Sequence, residues 1–456
     1  MRLSPAMVAA ATCLTLLASD AHAATVAPPG GIEISRRVDP SLDPFMRTEQ
    51  RQTPAAAMTF NQQWLSTHAR PLVVHDSDPA VSLNLTGWAT KPKVAVYYNA
   101  TGVNPYRTTQ MRQAKKWLMS QGGKPVMVDG WRALDLRIPA ARKWWLYGSD
   151  GKATCNEDRD QRSALDLLAC GYSGLWLDNA LTTPKQGFSP TPKIPVKAWE
   201  RGMFTLLKTL RAKKPKGTTF TINAHWTDTD FGYATKPKLR SSNGKIRAAK
   251  YADQVIIEGG AIDPGLHYAL PAKQPWSYRR LLNYADAMHK QRIKLQWEKT
   301  GSSDLTLNKS PLQGAPTLAK IPSCRDTDLQ SGTWFNGDAS WAAHVRSAAF
   351  NYATAMLTFV KGDNVGDMCE YPGRGWRGYE ANLGLPVGKR FERGELVIRE
   401  LTGGVVVVNP SDRPARYVLP SGRTGVDLAS TVWPLNDTPV TAVTLAPRTA
   451  AVVDYQ

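Results

Sequence analysis

Gly171-Tyr-Ser-Gly-Leu-Trp-Leu-Asp178-Asn-Ala180 reads as one buried strand that ends in an acid. A near-continuous apolar run of this length suits a strand covered on both faces, as in a parallel sheet wrapped by helices. Asp178 stands where that strand leaves the sheet, and Asn179 follows it. In parallel α/β folds this end of a strand is where chemistry gathers. An acid there is partnered or used, because burying it alone is costly. The plain alternative is an Asp that caps the next turn.

Strand-like and helix-like segments alternate from residue 91 onward. The strand-like pieces are 94–99, 125–129, 133–136, 174–178, 218–223, 254–258, 293–298 and 356–360. Amphipathic stretches such as 108–121, 195–213 and 278–290 separate them. Such alternation predicts an α/β fold, a (β/α)8 TIM barrel spanning 91–384. An open doubly wound sheet is the rival, but no glycine-rich dinucleotide fingerprint follows the first strand. From residue 385 to 456 short strands are split by Gly, Pro, Asn and Asp with no helix between them. That texture predicts a small antiparallel β-sandwich. Residues 24–90, rich in Pro, Ser, Thr and Ala, read as an extended leader.

Residues 1–23 read as a signal peptide, with Arg2, an apolar core over 6–18 and Ala21-His22-Ala23 as the cleavage site. A secreted or periplasmic protein is expected. No later apolar run reaches the roughly 18 residues that a membrane span needs. Cys13 lies in the signal, which leaves Cys155, Cys170, Cys324 and Cys369. In an oxidising compartment two disulfides follow, most simply 155–170 and 324–369, although four cysteines allow three pairings. A zinc site would want a CxxC or a nearby His pair, and neither occurs. The 57 Lys and Arg against 38 Asp and Glu, a net +19, favour an anionic partner. The cations are spread along the chain without a nucleic-acid motif.

Several strand-like pieces end in polar groups: Asn99, Asp129, Asp178, Asn223, Glu258 and Glu298. In a parallel barrel these positions converge on one face. Two carboxylates across a cleft are what glycosidic cleavage requires, one as proton donor and one as nucleophile or base. Asp178 and Glu258 fit that pair, two strands apart. Ile256 and Ile257 give Glu258 the apolar setting of a general acid, and Gly259 and Gly260 leave room for a ligand. Glu258 is therefore assigned as acid/base and Asp178 as nucleophile or base, with reversed roles open. Tyr98, Asn99, Asp129, Asn179, Asn223, His225 and Trp226 are the candidate sugar contacts, together with Glu298. Beside Lys299, Glu298 also reads as a structural ion pair. No nucleophile elbow, HExxH or phosphate loop appears, so neither metal nor cofactor is expected.

Leu134-Asp-Leu136 leading into Pro139 and Trp144, then Gly171 to Asn179, then Val255-Ile-Ile-Glu258 resemble secreted glycoside hydrolases related to family 114. The resemblance is strongest to the group called hypothetical glycosyl hydrolase-like family 15. It covers about residues 90 to 370 and is sharpest around Asp178. It implies a TIM barrel whose catalytic acids end the fourth and sixth strands, here Asp178 and Glu258. Ile222-Asn223-Ala224 departs from the Lys-Asn pairing of family 114, so its galactosaminidase specificity is not carried over. The expected function is a glycoside hydrolase acting on a carbohydrate polymer, not on nucleic acid and not from within a membrane. Two alternatives stand beside it. One is a non-catalytic carbohydrate-binding barrel; the other is a basic envelope protein held to acidic polymer by charge.

Overall fold

The computed structural model describes residues 33–38, 69–75, 93–155, 162–185, 187–223, 244–262, 266–272, 277–299, 338–367, 376, 378, 381, 383–429 and 438–456. Eight strands, each parallel to its neighbours, hydrogen-bond in a closed ring. In chain order they are Glu33–Val38, Ala69–His75, Val94–Asn99, Gly174–Asp178, Thr219–Ile222, Gln254–Glu258, Lys294–Lys299 and Asn364–Asp367. The ring closes because the first strand pairs with both the second and the eighth. Side chains alternate across the barrel wall. Ala95, Tyr97, Trp176 and Ile256 cluster inside. Val96, Leu175, Leu177, Val255, Ile257, Leu295 and Trp297 face outward into the main core. Burial on both faces is what gives strands three to six their largely apolar runs.

Three parts of the expected strand order are corrected. Residues 24–90 are not an extended leader throughout, because they contain the first two barrel strands. Those strands, EISRRV and ARPLVVH, carry charges or a proline where strands three to six are mostly apolar, and so lack the buried-strand texture. The segments 125–129 and 133–136 are not barrel strands. Met127–Val128 and Trp131–Ala133 form a hairpin in a small antiparallel sheet with Gly102–Val103 and Phe188–Ser189. The piece 356–360 runs from the end of the helix Asp338–Thr358 into the following residues. A short apolar run cannot be told from a buried helix segment by periodicity. Two strands lost and two gained ahead of Gly174 leave Asp178 on the fourth strand and Glu258 on the sixth.

Helices follow strands four to seven: Val196–Lys213, Gly244–Ala249, Tyr278–Lys290 and Asp338–Thr358. Before strand four, Pro139 opens the helix Pro139–Tyr147 at a position where its missing N–H costs nothing. Ser163 and Asp166 form a reciprocal capping box on Ala164–Ala169. Cys155 and Cys170 are disulfide-bonded across that helix. Cys324 and Cys369 lie outside the described residues.

The C-terminal segment is antiparallel, with a five-stranded sheet and a two-stranded sheet, Ala415–Val418 with Ala442–Leu445. Ile398, Val405, Val407 and Val453 pack on Tyr417, Val443 and Leu445 as a separate core. The other face, with Val397, Leu401, Val406, Val408 and Val452, merges with the main core. Arg399 donates to the Met356 and Phe359 carbonyls, and Arg390 pairs with Asp286 at 2.7 Å, so both tie the sheet to barrel helices. Burial, helped by the nearby Arg390 charge, pulls the Arg399 guanidinium below its usual value against the opposing pull of Asp286 and Asp363. No described helix is long and apolar enough to cross a membrane.

Candidate active site

At the C-terminal end of strand four the alternation that sends Leu175 and Leu177 outward turns Asp178 into the barrel. Three donors meet its carboxylate. The Tyr97 hydroxyl donates to Oδ2 at 2.5 Å. The Asn179 backbone N–H and the Asn223 side-chain amide donate to Oδ1 at 2.8 and 3.0 Å. The same Asn223 nitrogen donates its second hydrogen to Glu258 Oε2 at 2.6 Å. Asn223 is buried, so one amide nitrogen spans the two acids. The oxygens it joins are therefore at most about 5.6 Å apart.

Tyr97 is held from two sides. Its ring stacks on Trp176 with centroids 5.4 Å apart, and Trp131 approaches at 6.2 Å. Trp131 comes from the small hairpin, whose turn is Asp129-Gly130 with φ of 45° and 78°. Two left-handed residues in a row make a tight two-residue hairpin, for which Asp-Gly is a favoured pair. That turn sets the half-buried Trp131 beside the interior cluster of Tyr97, Trp176 and Ile256.

The other expected contacts divide. Tyr98 faces outward and meets Trp145 edge-on at 5.1 Å, so it is a core residue and not a sugar contact. Asn99 is buried, and its Oδ1 accepts the Thr101 and Gly102 N–H groups at 3.0 and 2.7 Å, closing the loop after strand three. Asp129 is an exposed turn residue, not a strand-end acid. Asn179 is buried with φ 53° and serves the site through its backbone N–H. Glu298 is buried in register beside Glu258 and faces the barrel interior by alternation with Trp297. Its expected pairing with Lys299 falls outside the described side chains, and His225 and Trp226 lie outside the described residues. Asp135 holds Arg137 in a two-point pair, which raises the guanidinium above its usual value.

The glycines after Glu258 are explained by the chain and not by a ligand. Gly259 and Gly260 have φ of 77° and 55°. A Cβ on Gly260 would sit 2.1 Å from Asn351 Oδ1, which accepts the Ala261 N–H. Tyr97 and Trp131 are the residues that sequence reasoning missed. Alternation counted back from Asn99 puts Tyr97 on its face, whereas Trp131 reaches the site only through a hairpin.

No protein-family model matches this sequence, and no curated protein matches it either. Neither family that the motifs resemble is therefore shown. Solved structures align with this chain only distantly. The glycoside hydrolase domain of PelA from Pseudomonas aeruginosa aligns at 15% identity, over 58% of this chain and 83% of that one, with a TM-score of 0.31. A noncanonic maltogenic alpha-amylase, AmyB from Thermotoga neapolitana, aligns at 9% over 93% and 99%, with a TM-score of 0.46. Trehalose-6-phosphate hydrolase from Bacillus licheniformis aligns at 10% over the same shares, with a TM-score of 0.43. Likeness at this distance fixes no chemistry.

Proposed function

We propose that this chain is a secreted glycoside hydrolase that cleaves a carbohydrate polymer at a TIM-type barrel mouth, with retention of anomeric configuration. The observation that carries the reading is the single Asn223 amide bonded to both Asp178 and Glu258. Carboxyl groups about 5–5.5 Å apart suit a double displacement, whereas inverting pairs stand about 6.5–9.5 Å apart to admit a water. Asp178, fixed on both oxygens by three donors, is the nucleophile. It attacks the anomeric carbon while Glu258 gives its proton to the departing glycosidic oxygen. Glu258 then takes a proton from water, and that water displaces Asp178 from the glycosyl ester. The Cys155–Cys170 disulfide accords with an oxidising compartment.

The test is release of reducing ends from a panel of bacterial and plant polysaccharides by the wild type, Asp178→Asn and Glu258→Gln. Release that both substitutions cut about a hundredfold to ten-thousandfold, with folding intact, supports the reading. Binding by all three proteins without release would leave a carbohydrate-binding barrel instead. With Asp178→Gly and added azide, a glycosyl azide of inverted configuration identifies Asp178 as the nucleophile.

A further inference from the structure

A second feature lies on the outer wall. The helix Val196–Lys213 carries Lys197, Arg201 and Lys208 at spacings of four and seven residues, which puts them on one face. The row is about 16 Å long at the helical rise. Together with Arg247 and Tyr251 from the next helical segment, these residues line a surface groove. Arg247 is set in place there, 3.4 Å from Glu200 and 4.2 Å above the Phe204 ring. Lys197, Arg201 and Lys208 are exposed, and none of the ion pairs among the described residues involves them. Arg137, Arg279, Arg390 and Arg448 on other faces are each paired with a carboxylate. One acid against four cations leaves the groove strongly positive.

We infer that this groove binds a linear acidic polysaccharide, one with carboxylates repeated along the chain, away from Asp178 and Glu258. The carbohydrate nature of the polymer rests on the hydrolase reading; the groove and its charge do not. Phe204 is buried beneath Arg247 and Tyr251 is half-buried, so among the described residues the groove offers charge rather than a row of open aromatic faces or a projecting apolar side chain. What is offered is a row of unpaired cations along a concave wall. The chain leaves strand four at Asp178, passes through Phe188–Ser189 and enters this helix at Val196 before returning to strand five, so the Lys197 end is the one on the Asp178 side of the barrel. A polymer seated in the row is thereby led toward the catalytic rim.

The test is affinity electrophoresis through gels containing polygalacturonate or neutral galactan, using the full chain and the exposed-residue variant K197Q/R201Q/K208Q. Polygalacturonate should retard the wild type, salt should weaken the retardation, and the triple variant should lose at least tenfold in affinity. Asp178→Asn and Glu258→Gln should be retarded as the wild type is. Equal retardation of the triple variant overturns the proposal, as does equal retardation by galactan. Tighter binding to single-stranded DNA or to anionic phosphatidylserine vesicles, lost in the triple variant, also overturns it by assigning the groove another partner. Retardation without any sugar release would sink the hydrolase reading alone. Release without retardation would sink only the groove.

Discussion

Asn223 is the residue on which the two acids depend. Its side-chain nitrogen has two hydrogens and each is committed to a different carboxylate, so Asn223→Ala removes the shared donor and lets the acids drift. The expected result is a kcat lower by about a hundredfold with KM little changed, because orientation in the transition state is what is lost. Asn223→Asp places a third carboxylate between the two and should be worse, since like charges at hydrogen-bond distance repel. Tyr97→Phe keeps the ring on Trp176 and deletes only the hydroxyl on Asp178. A fall of about tenfold in kcat, with an unchanged melting curve, is expected for that change. Steady-state rates on whichever polysaccharide the wild type cleaves decide all three. Asp178, Asn223 and Glu258 were legible as a group because each closes an apolar or β-branched strand with a polar side chain. Tyr97 and Tyr98 read alike in a buried strand; only the alternation of faces separates them. Trp131 was not legible at all, since a three-dimensional turn and not a spacing brings it to the mouth.

Among the elements, turns and caps carry the strongest requirements. Gly260→Ala meets both a left-handed backbone and the Asn351 oxygen, and should cost about 2 kcal/mol in urea denaturation. Ser163→Ala should cost about 1 kcal/mol through loss of the cap on Ala164–Ala169. Asp166 in the same cap behaves differently with pH. Desolvation by burial lifts its carboxyl above the ordinary value of 3.8, outweighing the Ser163 hydrogen bonds that pull it down. A raised acid binds its proton more tightly in the folded state, so its contribution is complete below 3.8 and is lost as pH rises through the folded value. The stability of the wild type relative to Asp166→Asn should therefore increase on acidification, measured by denaturant midpoints at a series of pH values. At this scale the helices with clear amphipathic spacing, such as Val196–Lys213 and Tyr278–Lys290, were legible. The helix Asp338–Thr358 was less so, because residues 345–358 are buried on nearly every side between barrel and C-terminal sheet and its last turn is as apolar as a strand.

Over the whole molecule, the barrel and the C-terminal sheet share one core. A chain ending at residue 384 would strip Val397, Val406 and Val452 from that core and uncover the helix Asp338–Thr358. It should be insoluble or bind a hydrophobic dye, which expression and fluorescence would show. A chain beginning at residue 91 loses strands one and two, and should fail to give a cooperative unfolding transition. The alternation of strands and helices was enough to suggest a parallel α/β fold. The first two strands were hidden because their charges and proline match a leader better than a buried strand.

The seam of the ring also sets an order of events in time. Glu33 hydrogen-bonds alongside Asn364, so the first strand to be synthesised waits for the last before its second edge is covered. Until residue 364 has left the ribosome the growing sheet has two open edges, each a template for a stray strand. Such distant pairing is slow to form and leaves intermediates exposed. Whatever receives the nascent chain has to keep those edges apart until the eighth strand arrives.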